Sequence, residues 1–134
     1  MRKILLITLG FNVLFGADTF TDKTTGLTWQ DNSASKTVQK TWSGAKEYCE
    51  NLTLGGYDDW RLPSIRELQS IVNMRYVPAI KSGFKNAASS DYWSSSEIVP
   101  GTSGAWGVNF GNGIRNYISK SKKNYVRCVR GRQF

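Results

Sequence analysis

The spacing of apolar residues changes period several times along this chain, and each change marks an element. In residues 20–31, Leu27 and Trp29 alternate with Thr28 and Gln30 behind a Thr24-Thr25-Gly26 turn, which predicts a β-hairpin with Trp29 facing inward. Residues 32–40 are polar and unpatterned and read as a surface loop. From Thr41, the expected N-cap, the period becomes helical: Ala45, Tyr48, Cys49 and Leu52 make one apolar stripe, with Lys46, Glu47 and Glu50 on the other side. Gly55-Gly56 is the expected stop. A second helix is predicted after Ser64, where Ser64-Ile65-Arg66-Glu67 has the capping-box pattern. Its inner stripe is Ile65, Leu68 and Ile71 or Val72, and it should end near Asn73.

The second half is β-rich. Residues 74–90 are irregular, broken by Pro78 and Gly83, with Ile80 and Phe84 expected to fill the core. Tyr92-Trp93 is a β-prone pair before three serines. Residues 105–110 alternate Trp106, Val108 and Phe110, which predicts a strand with one buried face. Gly111-Asn112-Gly113 turns it into a partner at residues 114–118. A basic turn at 119–124 leads to a last strand at 125–129. No repeat and no long linker divides the chain.

At 134 residues the chain is long enough for one domain with a real core. Aromatics make up 13%, with five Trp, and only 21% of residues are charged, a profile of a folded domain rather than a disordered one. Residues 1–17 have the form of a secretory signal: Arg2 and Lys3, then a mostly apolar run, then Gly16-Ala17. The expectation is a signal peptide over 1–17 and one domain over 18–134, with no transmembrane span after cleavage. An uncleaved N-terminal anchor is the alternative. The product is then secreted, periplasmic or held at the cell surface.

In that compartment two cysteines make a single disulfide, Cys49 to Cys128, the default, with two free thiols as the alternative. The bridge would tie the first helix to the last strand. Asp58-Asp59-Trp60-Arg61-Leu62-Pro63 is the densest cluster. Its carboxylates either hold a metal or a ligand or, the favoured reading, satisfy backbone amides and fix the entry to the second helix. Trp29, Trp42, Trp60, Arg61, Pro63, Trp93 and Trp106 are taken with the two cysteines as structural.

Net charge is +8, and +6 once Arg2 and Lys3 are removed. A basic exported protein is drawn to polyanions such as sulfated glycans or anionic envelopes. The candidate ligand-binding residues are Arg115, Tyr117, Lys120, Lys122, Lys123 and Tyr125, with Arg130 and Arg132 nearby. Arginine offers bidentate bonds to sulfate, lysine a point charge, and tyrosine a face for a sugar ring. The bland alternative is that residues 119–123 are a solvated turn. Nothing resembles a base-reading module, so no specific nucleic acid partner is expected.

Catalysis has little to stand on. With no histidine, the commonest general base and the Ser–His and Cys–His pairs are gone. Ser94-Ser95-Ser96 lacks the glycines of a nucleophile elbow. Glu47 and Glu50, three apart, read as a solvated face rather than a carboxylate pair. No metal and no cofactor is implied. Asn51-Leu52-Thr53 is a glycosylation sequon by pattern only.

Six segments in order, GLTWQD, TWSGAKEYCENL, GGYDDWRLPSIRELQSI, YWSSS, AWGVNFGNG and YVRCVRG, closely resemble the Lcl C-terminal domain family (DUF1566), named after a collagen-like adhesin. The resemblance runs from about Thr19 to Gly131. It implies an α+β, C-type-lectin-like fold: two helices packed on a twisted antiparallel sheet, long irregular loops, and a first-helix cysteine paired with one in the final strands. Cys49 and Cys128 fall at those positions. The RLPSIREL segment also resembles the formylglycine-generating enzymes, which share the fold but use two reactive cysteines near their C-terminus. Here only Cys128 is a candidate there. The tripeptides with which calcium-dependent lectins hold sugar are missing. The expectation is therefore a non-catalytic, adhesin-like binding module for an anionic glycan or for an envelope or host protein. A structural or assembly subunit of the cell envelope is the alternative, and a formylglycine-generating-type enzyme the third.

Overall fold

The computed structural model describes residues 18–134. The expected signal peptide over 1–17 lies outside the described residues. The described chain is α+β, with two helices and eight strands in two sheets. β1 (Thr19–Asp22) and β2 (Leu27–Gln30) form the predicted hairpin, and β8 (Val129–Arg130) completes a three-stranded sheet in the order β1-β2-β8. The second sheet has the order β3-β7-β4-β5-β6. Its strands are β3 (Gln39–Lys40), β4 (Asp91–Trp93), β5 (Gly104–Asn109), β6 (Ile114–Ser119) and β7 (Asn124–Tyr125). All pairings are antiparallel except β4 with β7.

Both helices start where side-chain caps place them. α1 (Trp42–Glu50) begins at Thr41, whose hydroxyl accepts from the Gly44 amide at 3.3 Å. α2 (Ile65–Ser70) has the full capping box: the Glu67 amide donates to Ser64 Oγ, and the Ser64 amide donates to Glu67. Their ends differ from expectation. α1 stops at Glu50, short of the glycine pair, because the Asn51 amide closes back on the helix and Leu54 then pairs with Tyr57 around Gly55-Gly56. α2 stops at Ser70, because Val72 leaves the helix to bridge Ile80.

The chain makes two apolar clusters. One joins Leu27, Trp29, Leu68, Ile71, Tyr92 and Phe110 beneath α2 and the first sheet. The other gathers Ala45, Trp60, Trp93, Ile118 and the two cysteines beneath α1. β5 lies between them. Val108 and Phe110 face the first cluster while Ala105 faces the second. The expected one-faced strand is therefore covered on both sides, and Trp106, at the outer end, is only half-buried. Gly107 is needed here, since a methyl would come within 2.5 Å of the Tyr92 carbonyl oxygen.

The expected last strand is two strands in different sheets. β7 pairs with β3 and β4, β8 with β2, and the crossing segment Val126-Arg127-Cys128 is buried at every residue. Cys128 in that crossing is bonded to Cys49 on α1. The polar stretch 32–40 is also more than a surface loop: a single 3₁₀ turn (Ser33–Lys36) buries Ser35, whose carbonyl accepts from the Tyr92 hydroxyl, and β3 pairs with β7. Among the described residues no helix is long and apolar enough to cross a membrane.

Candidate functional site

The polar clusters singled out from sequence divide into those that hold the fold and those left facing solvent. Arg61 makes a fork to the buried Glu67 carboxylate, at 2.7 and 2.8 Å. Burial alone would push Glu67 up, but the Arg61 guanidinium and the Ser64 and Phe134 amides outweigh it and bring its carboxyl below the ordinary value. Asp59 takes a second fork, from Arg130, which also lies 3.6 Å from the Tyr57 ring centroid. Asp59 thereby pushes the Arg130 guanidinium up. Trp60 donates to the Leu54 and Tyr57 carbonyls. The Asp58–Pro63 stretch thus links α2 to β8, with the Asp59 carboxylate serving a guanidinium where backbone amides were expected. The three serines are a seam: Ser94 Oγ donates to the Trp106 carbonyl, and Ser96 Oγ accepts from the Ile65 amide at the start of α2.

The six candidate binding residues do not form one surface. Tyr125 is half-buried and stacks on Tyr92 with centroids 5.4 Å apart. It is not the exposed sugar platform that sequence allowed, because β3 pairs alongside it in β7. Lys120 is engaged too: its Nζ lies 2.5 Å from Glu97 and 4.3 Å from the Trp42 ring centroid. That hydrogen bond holds the Glu97 carboxyl below its ordinary value. Arg130, one of the flanking cations, is taken by Asp59.

Arg115, Tyr117, Lys122 and Lys123 remain exposed. β6 is an edge strand, and its register puts Tyr117 opposite Trp106 and Arg115 opposite Val108, all on one face. The Trp106 amide and carbonyl are used toward Ser96 and Ser94, so Trp106 and Tyr117 are a non-hydrogen-bonded pair, whose side chains approach most closely. Their rings meet edge to face at 6.1 Å. Arg115 lies over the same indole, its Cζ 4.9 Å from a ring centroid. The result is a cation, an indole and a phenol in a row along an exposed edge, with the Lys122-Lys123 turn past its end.

Trp106, expected as a structural residue, sits beside Arg115 and Tyr117 by cross-strand register, which the Gly113 turn sets. Arg127, buried in the crossing, is not among the expected residues. Among the described residues no group of three or more His, Cys, Asp or Glu is arranged to hold a metal.

No curated protein matches the chain. The Lcl C-terminal domain family matches residues 18–130, which covers both sheets, both helices and the whole Arg115–Trp106–Tyr117 row. On that match the chain belongs to the Lcl C-terminal domain family.

Proposed function

We propose that this protein is an exported, non-catalytic binding module that recognises an anionic, sulfated glycan along the β6 edge. Arg115 would pair with a sulfate, Tyr117 and Trp106 would offer aromatic surface to a sugar ring, and Lys122 and Lys123 would hold a second anionic group. The observation that carries this reading is the row itself: Arg115 packs on Trp106 and has no carboxylate partner among the described residues. A cation already stacked and oriented loses less freedom when it binds.

Two features favour recognition over reaction. Cys128 is fully buried and bonded to Cys49, so no thiolate is present there for formylglycine-type chemistry. The buried carboxylates Asp31 and Glu67 are consumed by arginine and amide partners.

Retention on immobilised heparin under a salt gradient tests the reading. Arg115→Ala, and Lys122→Ala with Lys123→Ala, should each elute at lower salt than the parent, because exposed charge contacts are screened. Tyr117→Ala should weaken retention without changing net charge. Unaltered elution in all three variants rules the site out.

A further inference from the structure

Residues 74–78 make a turn whose base is fixed and whose tip is apolar. Asn73 is its hub: the Asn73 amide donates to the Ala79 carbonyl at 3.0 Å, its Oδ1 accepts from the Arg75 amide at 3.0 Å, and its carbonyl accepts from the Tyr76 amide at 3.3 Å. The Ala79 amide in turn donates to the Phe110 carbonyl at 2.6 Å, which ties the turn to the end of β5. Apart from Arg75, the side chains that this base holds outward are apolar or aromatic. Val77 is 79% exposed, Met74 66% and Tyr76 48%. Met74 lies against the β5–β6 hairpin tip, its Cγ 2.9 Å from where a methyl on Gly113 would sit. The following residues, Ile114 and Arg115, are exposed as well.

Cations are interleaved with this apolar tip. Arg75 is exposed between Met74 and Tyr76, and neither Arg75 nor Arg115 has a carboxylate partner among the described residues. We infer that the 74–78 turn is a membrane-surface anchor, which seats Met74, Tyr76 and Val77 in the interfacial layer of an anionic bilayer while Arg75 and Arg115 meet lipid phosphates. Apolar side chains beside arginine, with a tyrosine among them, are the composition of elements that lie in the bilayer interface. Anionic lipid adds attraction for each cation near the surface. A fluid surface takes up an exposed apolar tip of any shape, whereas a folded partner needs a groove that matches it. Arg115 is common to this tip and to the β6 edge, so the test changes Val77, which has no part in the glycan reading.

Co-sedimentation of the purified protein with vesicles tests it. Vesicles of equal parts phosphatidylglycerol and phosphatidylcholine should carry the protein down at low salt, and phosphatidylcholine alone should not. Val77→Asp should lower partitioning about tenfold or more, the scale of one lost apolar side chain plus an added repulsive charge. Val77→Ser, which leaves the charge unchanged, should lower it in the same direction. Val77 is open to solvent, so an unchanged melting curve is expected for both variants, and unchanged heparin elution separates this site from the β6 edge. No binding to anionic vesicles, or equal binding by the parent, Val77→Asp and Val77→Ser, would overturn the inference.

Discussion

Arg127 Nη1 lies 3.2 Å from Asp31 Oδ1, with both side chains all but sealed from solvent. The same guanidinium donates to the Gln30 and Asn86 carbonyls, and the rings of Phe84 and Tyr92 lie near it, at 4.9 and 5.7 Å. Asp31 also accepts from the Lys85 and Asn86 amides. One buried cation therefore pins the end of β2, the 85–88 loop and the crossing between the sheets. Burial pulls the guanidinium down from its ordinary value, and Tyr92 and Asp31 oppose that pull.

Removing one member of such a pair strands the other. Arg127→Met should cost about 3–5 kcal/mol of stability, read from the urea midpoint. Arg127→Lys should not rescue it, since one ammonium cannot reproduce the fork to three acceptors on two segments. A lysine variant with the parent's midpoint would show that only the charge matters.

Cys49 and Cys128, 79 positions apart in sequence, close a loop across the domain. By the chain-entropy relation, a bridge of that span restricts the unfolded chain by roughly 4 kcal/mol. The double variant Cys49→Ala, Cys128→Ala should lose about that much in urea unfolding, and added reductant should then leave its midpoint unmoved. A parent midpoint insensitive to reductant under partly unfolding conditions would contradict the stabilising role.

The caps at Thr41 and Ser64 were legible because an N-cap is a local hydrogen bond, settled within three residues of chain. The pairing of Cys49 with Cys128 needed only a count and a compartment. What could not be read was set by contacts remote in sequence. Val126, Arg127 and Cys128 continue an apparent strand, yet three consecutive buried residues occur there because the chain passes between two sheets. Lys120 reads like its neighbours in a basic turn, and only the fold brings it to Glu97 and Trp42. Tyr125 is withdrawn from the surface by β3, a two-residue strand with no apolar pattern to announce it. The signal that could have found the Arg115–Trp106–Tyr117 row was present: a glycine turn fixes hairpin register, and register fixes cross-strand neighbours.

Acid should destabilise the fold through Glu67. Its carboxyl is burdened by burial, yet Arg61 and the Ser64 and Phe134 amides hold it below the ordinary value of 4.5. A depressed value in the folded state means that the unfolded chain binds the proton first. The Glu67 contribution is therefore complete above pH 4.5 and is lost as pH falls through the lower, folded value. Asp22, held down by Lys81 against its own burial, acts in the same sense below 3.8. Urea midpoints taken from neutral to acid pH should stay level and then drop. Glu67→Gln, less stable at neutral pH, should show a shallower acid limb, and parallel limbs in the two proteins would remove Glu67 as the source.

Gly104 offers a way to disturb the proposed binding edge while leaving the fold alone. A methyl at Gly104 would overlap the Tyr117 ring, meeting Cζ, Cε2 and the hydroxyl. Those atoms are the far end of a side chain that is 48% exposed, so the ring can swing aside. Gly104 is itself buried beneath that ring, so Gly104→Ala should cost about 1 kcal/mol or less, the scale of the aromatic contact it breaks. It should still break the edge-to-face contact of Tyr117 with Trp106, and heparin elution should fall toward that of Tyr117→Ala. Gly107→Ala gives the contrast, because its methyl meets the Tyr92 carbonyl oxygen, which is backbone and cannot swing. That variant should lose about 1–3 kcal/mol. If Gly104→Ala elutes with the parent while Tyr117→Ala elutes early, the phenol binds through its own contacts, and its set against Trp106 is irrelevant to recognition.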